Sequence, residues 1–262
     1  MEEMHTFVVL AYKESQYLEH CIKSVLNQTI KTNVVIATST PNKYIDSLAK
    51  KYNLDIIVNN KTKGIASDFD FAFNVANTKL VTVAHQDDIY ETNYAEEVLK
   101  YYNKYKKSII LFSNYFEIKN DNREYKNTNL RVKEFLLFPL RFKTLSGIKM
   151  IKRSALRFGD AICCPSVTFV KANCPNKVFV SDMKCNVDWQ AWEMLSKLKG
   201  KFIYIAKPLM GHRIHAESTT TEIIKENKRT EEDFIMFKKF WPTFIAKILT
   251  KIYSKSEQNN NV

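Results

Sequence analysis

The feature that most constrains this chain is an alternation in its first 112 residues. Short apolar runs at 7–11, 34–37, 56–58 and around Leu80 are separated by stretches whose apolar residues recur at helical spacing. Those stretches carry Leu18, Cys21, Ile22, Val25 and Leu26, then Ile45, Leu48, Ala49 and Tyr52, then Ile65, Phe69, Phe73 and Ala76. Strands alternating with helical patterns predict βαβ units with right-handed crossovers, hence an α/β fold with a mostly parallel sheet flanked by helices. A chain of 262 residues supports it, since roughly 70 to 75% of the unfolded surface is buried at that size.

The fourth apolar run, Leu80, Val81, Val83 and Ala84, leads straight into His85-Gln86-Asp87-Asp88 with no Gly or Pro between. In an open α/β sheet ligands bind beyond the carboxyl ends of the strands, so these carboxylates are expected to face a crevice. Two adjacent Asp side chains ionise together only against positive charge, and a divalent ion carrying substrate phosphates supplies it. The alternative is that Asp87 or Asp88 caps a helix starting near Tyr90.

Downstream, Tyr94, Val98, Tyr101 and Tyr105 predict a helix, 109–113 a strand, 120–129 a loop, and 131–157 a helical region that is basic and apolar by turns. A strand at 167–170 follows Cys163 and Cys164, and Cys163 reads as a small buried thiol, since no His or Asn arrangement accompanies it. Trp189, Trp192, Leu195 and Leu198 share one side of a helix starting just after Asp188, with Asp188 itself a candidate cap. After a last strand at 202–205 comes a polar cluster from Gly211 to Ser218. With no repeat and no clear linker, residues 1–218 read as one domain, with 1–112 its nucleotide-type half, and 219–262 as a helical basic tail.

Five Cys, an odd number without a metal-type spacing, argue against a disulfide framework and for a reducing compartment. The acidic start lacks the charge of a secretory signal, and no run reaches the roughly 18 apolar residues of a membrane span, so a cytoplasmic protein is expected. Net charge is +12, from 40 Lys plus Arg against 28 Asp plus Glu, which favours a polyanionic partner. Nucleic acid is set aside because no recognised module or aromatic-basic groove motif accompanies the charge. From Phe234 onward there are five Lys and one Glu among many apolar residues. A helix from Thr243 to Tyr253 would put Ile245, Ile248, Leu249 and Ile252 on one face, with Lys247, Lys251 and Lys255 along its flank. Such a helix either lies on an anionic membrane surface or packs its apolar face on the domain.

The order of elements resembles the family-2 glycosyltransferases, which have the GT-A fold, over roughly residues 6–218. Val8-Val9-Leu10-Ala11-Tyr12-Lys13-Glu14 and the helix from Leu18 to Thr29 look like that family's first strand and helix. Gly64, a helix, and a strand ending in Asp-Asp are similar to the segment leading to its metal-binding Asp-x-Asp, with His85 in place of the first Asp. Asn186-Val187-Asp188-Trp189 looks like its Glu-Asp motif, with Val187 in place of the Glu, and Arg213-Ile214-His215 like its late Arg-x-His segment. The family's acidic turn after the second strand is here Ala37-Thr38-Ser39-Thr40.

This resemblance implies an inverting, metal-dependent transfer of a sugar from a nucleotide-diphosphate sugar, expected as a UDP-sugar, to a glycan or lipid-linked acceptor in bacterial surface polysaccharide assembly. It makes Asp188 the catalytic base, Asp87, Asp88 and His215 the ligands of Mn²⁺ or Mg²⁺, and residues 113–218 the acceptor half. Ala11, Tyr12, Lys13, Glu14, Thr38, Gly64, Asp70, Gln86 and Asp87 become the donor contacts. The His85 and Val187 departures leave a second expectation: a protein of this fold that binds nucleotide sugar without transferring it.

Overall fold

A computed structural model of the chain describes residues 4–60, 64–180, 182–215 and 228–258, with side chains to residue 254. Its first half is built as the alternation predicts. Strands β1 (His5–Ala11), β2 (Asn33–Thr38), β3 (Ile56–Val58) and β4 (Leu80–His85) alternate with helices α1 (Leu18–Leu26), α2 (Lys43–Tyr52) and α3 (Ile65–Val75). The four strands are parallel in the order β3-β2-β1-β4. β1 is buried along its length apart from half-buried Leu10, as a strand covered on both faces must be. Alternation sends Phe7, Val9 and Ala11 into one core with Leu18, Ile22, Val25 and Tyr94, and Val8 into another with Phe73, Phe169, Trp189 and Trp192.

The second half turns the sheet. After β4 come β5 (Ile89–Tyr90), α4 (Tyr94–Lys104), β6 (Ser108–Lys119), β7 (Asn122–Glu124), α5 (Thr128–Leu137), α6 (Lys149–Ser154), β8 (Val167–Val170), α7 (Val187–Leu195) and β9 (Lys201–Arg213). The order continues β4-β8-β6-β9-β5, with β8 antiparallel to both neighbours and β9 parallel to β6. β5 follows β4 after three residues, yet lies at the other end of the strand order, paired with β9. The mixed, mostly parallel sheet therefore curls toward itself, and the connection that spans the curl is Gln86-Asp87-Asp88.

Four expectations are corrected. No helix starts near Tyr90: Ile89 and Tyr90 form β5 and α4 begins at Tyr94, so neither Asp87 nor Asp88 caps a helix. The 131–157 region is broken after α5 by a 3-10 turn containing Pro139, which has no amide to continue a helix. The strand at 202–205 runs on to Arg213, shifting register opposite Asn114, where Pro208 sits. The Trp189 helix starts at Val187, so Asp188 is inside its first turn and Asn186 takes the cap position.

Among the described residues that follow are helices α8 (Lys228–Lys238) and α9 (Thr243–Gln258). Met236, Phe237 and Ala246 are buried in the same core as Trp189 and Trp192. The expected boundary at 218/219 lies outside the described residues, as do Ala216 to Ser218 of the polar cluster. Among the described residues no helix is long and apolar enough to cross a membrane.

Candidate active site

The registers set a row of residues along one edge of the sheet. Val58 is opposite Thr38, Thr38 opposite Ala11, and Leu10 opposite His85. Beyond Ala11, Gln86 joins the neighbouring strand ends: the Tyr12 amide donates to Gln86 Oε1 at 2.9 Å, and Gln86 Nε2 donates to the Tyr12 carbonyl at 3.0 Å. Lys13 takes a left-handed φ of 54°, and its amide donates to Thr40 Oγ1 at 2.6 Å. Thr40 in turn donates its amide to the buried Thr38 Oγ1 at 3.0 Å, and Glu14 is exposed. Six expected donor contacts, Ala11 to Glu14, Thr38 and Gln86, thus gather on one ledge.

Gly64 caps α3 with a φ of 130°, a conformation a side chain would strain. Asp70 goes elsewhere: its Oδ1 accepts the amides of Val178 at 2.8 Å and Phe179 at 3.3 Å, tying down residues 176–179. The α3 carboxylate that turns to the strand ends is Asp68, which accepts from Ser39 Oγ at 2.8 Å and Asn59 Nδ2 at 2.8 Å.

At the end of β4, His85, Asp87 and Asp88 each offer a ligand atom within 4.8 Å of the others. Cys21 fixes the backbone there, its thiol donating to the His85 carbonyl at 3.2 Å. Pairing of Ile89 with Gly211 and Tyr90 with Met210 carries the end of β9 to the same place. Asp88 is fully buried, and its Oδ1 accepts from the Arg213 amide at 2.9 Å and contacts His212 Nδ1 at 3.1 Å. His215 Nε2 lies 3.0 Å from Asp87 Oδ2, and its ring packs on Tyr17 at 5.0 Å. The Arg213 guanidinium sits 4.4 Å from the Tyr17 ring, with Nε donating to the Asp87 carbonyl.

Burial opposes the Asp87 charge, but the hydrogen bond from His215 and the fields of His85 and His212 hold its carboxyl below the usual range. Burial likewise opposes the charge of His212, and Asp88 lifts its imidazole above the ordinary value. His85 Nε2 and Asp88 Oδ2 are buried with no hydrogen-bond partner among the described residues. Such atoms are costly unless something else satisfies them. Two carboxylates with imidazoles at hand form a donor set that could hold a divalent cation.

Asp188 lies in the first turn of α7, with Oδ1 accepting the Trp189 amide at 2.8 Å. The segment entering α7 is held by α8: Glu232 accepts the amides of Lys184, Cys185 and Asn186 at 2.7, 2.8 and 3.0 Å, and Asp233 accepts from Asn186 Nδ2 at 2.8 Å. Asp160 shares a hydrogen bond with Asp188, and burial followed by the charge of Asp188 pushes its carboxyl well above the usual range, with Lys133 opposing. Val187, by contrast, is apolar and buried. Burial raises the Cys163 thiol, with Lys133 opposing and Asp88, Asp188 and Asp160 adding to the rise. Cys163 is half-buried rather than fully buried, and its protonated state argues against a nucleophile.

His212, Asp160, Asp68 and Tyr17 join the site without having been expected from the sequence. The polar cluster after Gly211 signalled His212, whereas nothing local marks Asp160, whose partner is 28 positions away.

The family model described as Glycosyl transferase family 2 matches residues 6–165, more than half of the chain. Asp188, His212 and His215 lie beyond that match and rest on the geometry above. Among solved structures, S. aureus TarS 1-349 is similar with a TM-score of 0.64 at 11% identity, covering 94% of this chain and 69% of that one. The same TarS piece in complex with UDP-GlcNAc gives 0.61 at 12% identity, covering 94% and 70%. The mannosyltransferase PcManGT from Pyrobaculum calidifontis, in complex with GDP-Man and Mn²⁺, gives 0.58 at 13% identity, covering 95% and 69%. This chain spans 42% of the longer TarS chain. At such identities the likeness is one of fold. No curated protein matches the sequence.

Proposed function

This chain belongs to glycosyl transferase family 2, and from that premise we propose that it transfers a sugar, with inversion, from a nucleotide-diphosphate sugar to a hydroxyl of a glycan or lipid-linked acceptor. The observation that carries the reading is the meeting of His85, Asp87, Asp88 and His215 at the end of β4, beside the ledge formed by residues 11–14, Thr38 and Gln86. Those four side chains would hold a divalent cation, which when bound supplies charge to stabilise the departing diphosphate. Mn²⁺ is expected to serve better than Mg²⁺ because imidazole is among the donors.

The remaining work falls to the chain. Asp188 accepts the proton of the acceptor hydroxyl as that oxygen attacks the anomeric carbon, and the bond from this carbon to the diphosphate oxygen breaks with its electron pair going to the diphosphate. Asp160, keeping its own proton, hydrogen-bonds Asp188 and orients it, a polar support that Val187 does not offer. Thr38, Ser39, Asn59 and Asp68 offer hydroxyl, amide and carboxylate groups to the base and ribose. A UDP-sugar is the first donor expected, since the TarS neighbour is solved with UDP-GlcNAc. The setting we propose is surface polysaccharide assembly in a bacterial cytoplasm, at the inner membrane face. Residues 1–218 are proposed as the catalytic domain, with 1–112 binding the donor and 113–218 the acceptor, and 219–262 as its helical extension.

The test is nucleoside diphosphate release from a panel of UDP-, GDP- and dTDP-sugars with Mn²⁺, Mg²⁺ or chelator. Turnover of one donor class, faster with Mn²⁺ and abolished by chelator, is expected. A donor that binds but is never turned over would instead make the chain a nucleotide-sugar-binding protein of the same fold.

A further inference from the structure

Helix α9 carries apolar residues on two opposite faces, and the domain uses only one. Inward, Ala246 and Thr250 are buried, and Tyr253 packs at 6.0 Å from Trp189 and 5.7 Å from Phe237. Outward, Phe244, Ile248 and Ile252 follow one another at i, i+4 and i+8, and so form a row 67%, 57% and 60% exposed. Lys247 and Lys251 lie along the same exposed side, and residues 243–254 contain no acid. A helix already anchored by its inner face gains nothing from three large apolar side chains in water.

The surface next to the start of α9 has the same character. A cleft of about 400 Å³ is lined by Lys149, Arg153 and Arg157 with Phe240 and Trp241. Arg157 lies 4.9 Å from the Phe158 ring and 5.5 Å from that of Trp241, while Arg153 is tied to Glu193 and the Lys239 carbonyl. Met150, also in the cleft, is 75% exposed.

We propose that the outer face of α9, together with this cleft, is a docking surface for an anionic lipid bilayer. Phe244, Ile248 and Ile252 enter the boundary between headgroups and acyl chains, Lys247 and Lys251 remain among the lipid phosphates, and Trp241 sits at headgroup level beside Lys149 and Arg157. A second copy of the chain fits poorly, because facing α9 helices would set lysine rows against each other. Phosphate headgroups supply the opposite charge that a neutral apolar partner lacks.

This inference stands apart from the transfer chemistry, so its test measures no turnover. The full chain is sedimented with phosphatidylcholine vesicles and with vesicles that also contain phosphatidylglycerol, at low and high salt. Binding only to the anionic vesicles, released as salt rises, is expected. Ile248→Ser with Ile252→Ser, and separately Lys247→Gln with Lys251→Gln, should each weaken it by at least about tenfold while leaving the melting temperature unchanged. Absence of binding at low salt, equal binding to neutral vesicles, or a wild-type dimer that the serine variant loses would each overturn the proposal.

Discussion

Against burial, which alone would favour the neutral carboxyl, Asp87 keeps its charge through a hydrogen bond with His215 and the fields of His85 and His212. Asp87→Ala is therefore expected to leave the fold intact and to remove metal-dependent donor binding, read by titrating donor with Mn²⁺ and with chelator. Unchanged metal dependence would exclude Asp87 as a ligand. His5 illustrates the opposite balance, since burial drives its imidazole from 6.5 down to about 3, with Nε2 on Thr82 Oγ1 at 2.8 Å. The unfolded chain binds that proton more readily, so the stabilisation is complete above pH 6.5 and declines as pH falls from there toward about 3. The decline is at most about 1.4 kcal/mol per pH unit. Melting curves across that window should be flatter for His5→Gln than for the wild type. Equal slopes would mean that His5 is not buried neutral.

At the scale of elements, α7 depends on α8 for its approach to the site. Glu232 accepts three successive backbone amides just before α7, and Glu232→Ala leaves them without that acceptor, at about 1 to 3 kcal/mol. Transfer should fall together with melting temperature, whereas a drop in stability alone would detach α8 from the base. What the sequence made legible is what pairs locally. β4 and its Asp-Asp ending stand out because the five residues from Leu80 to Ala84 are apolar or small before the polar break, and β1 to β3 follow from period and spacing. The pairing of two-residue β5 with β9 did not stand out, because Ile89 and Tyr90 favour strand but are too few to show a period, and their partners are some 120 positions away. That pairing is what brings His212 to Asp88. In α9, periodicity put Ile245, Ile248, Leu249 and Ile252 on one face, but Ile248 and Ile252 are exposed on the outer side, and the inward face uses Ala246 and Thr250, a small and a polar residue that a hydrophobic pattern passes over.

For the molecule as a whole, the last two helices complete the core rather than hang from it. Phe237 and Tyr253 close over Trp189, and a Cβ on Gly159 would lie 2.7 Å from the Tyr253 ring. A chain ending at Lys238 is thus expected to melt several degrees lower, at about 2 to 4 °C per kcal/mol lost for a domain of this size. An unchanged melting temperature would return α9 to the status of an appendage. Asp88 and Asp188 both raise the Cys163 thiol, and the proposed transfer requires the candidate metal cluster and Asp188 together. The most direct measurement is the rate of nucleoside diphosphate release by Asp188→Asn against wild type, at saturating donor and Mn²⁺, with donor affinity measured alongside. The account predicts a fall of about 10² to 10⁴-fold, with donor affinity within a few fold because a base acts on the transition state. A rate above about a tenth of wild type would contradict it.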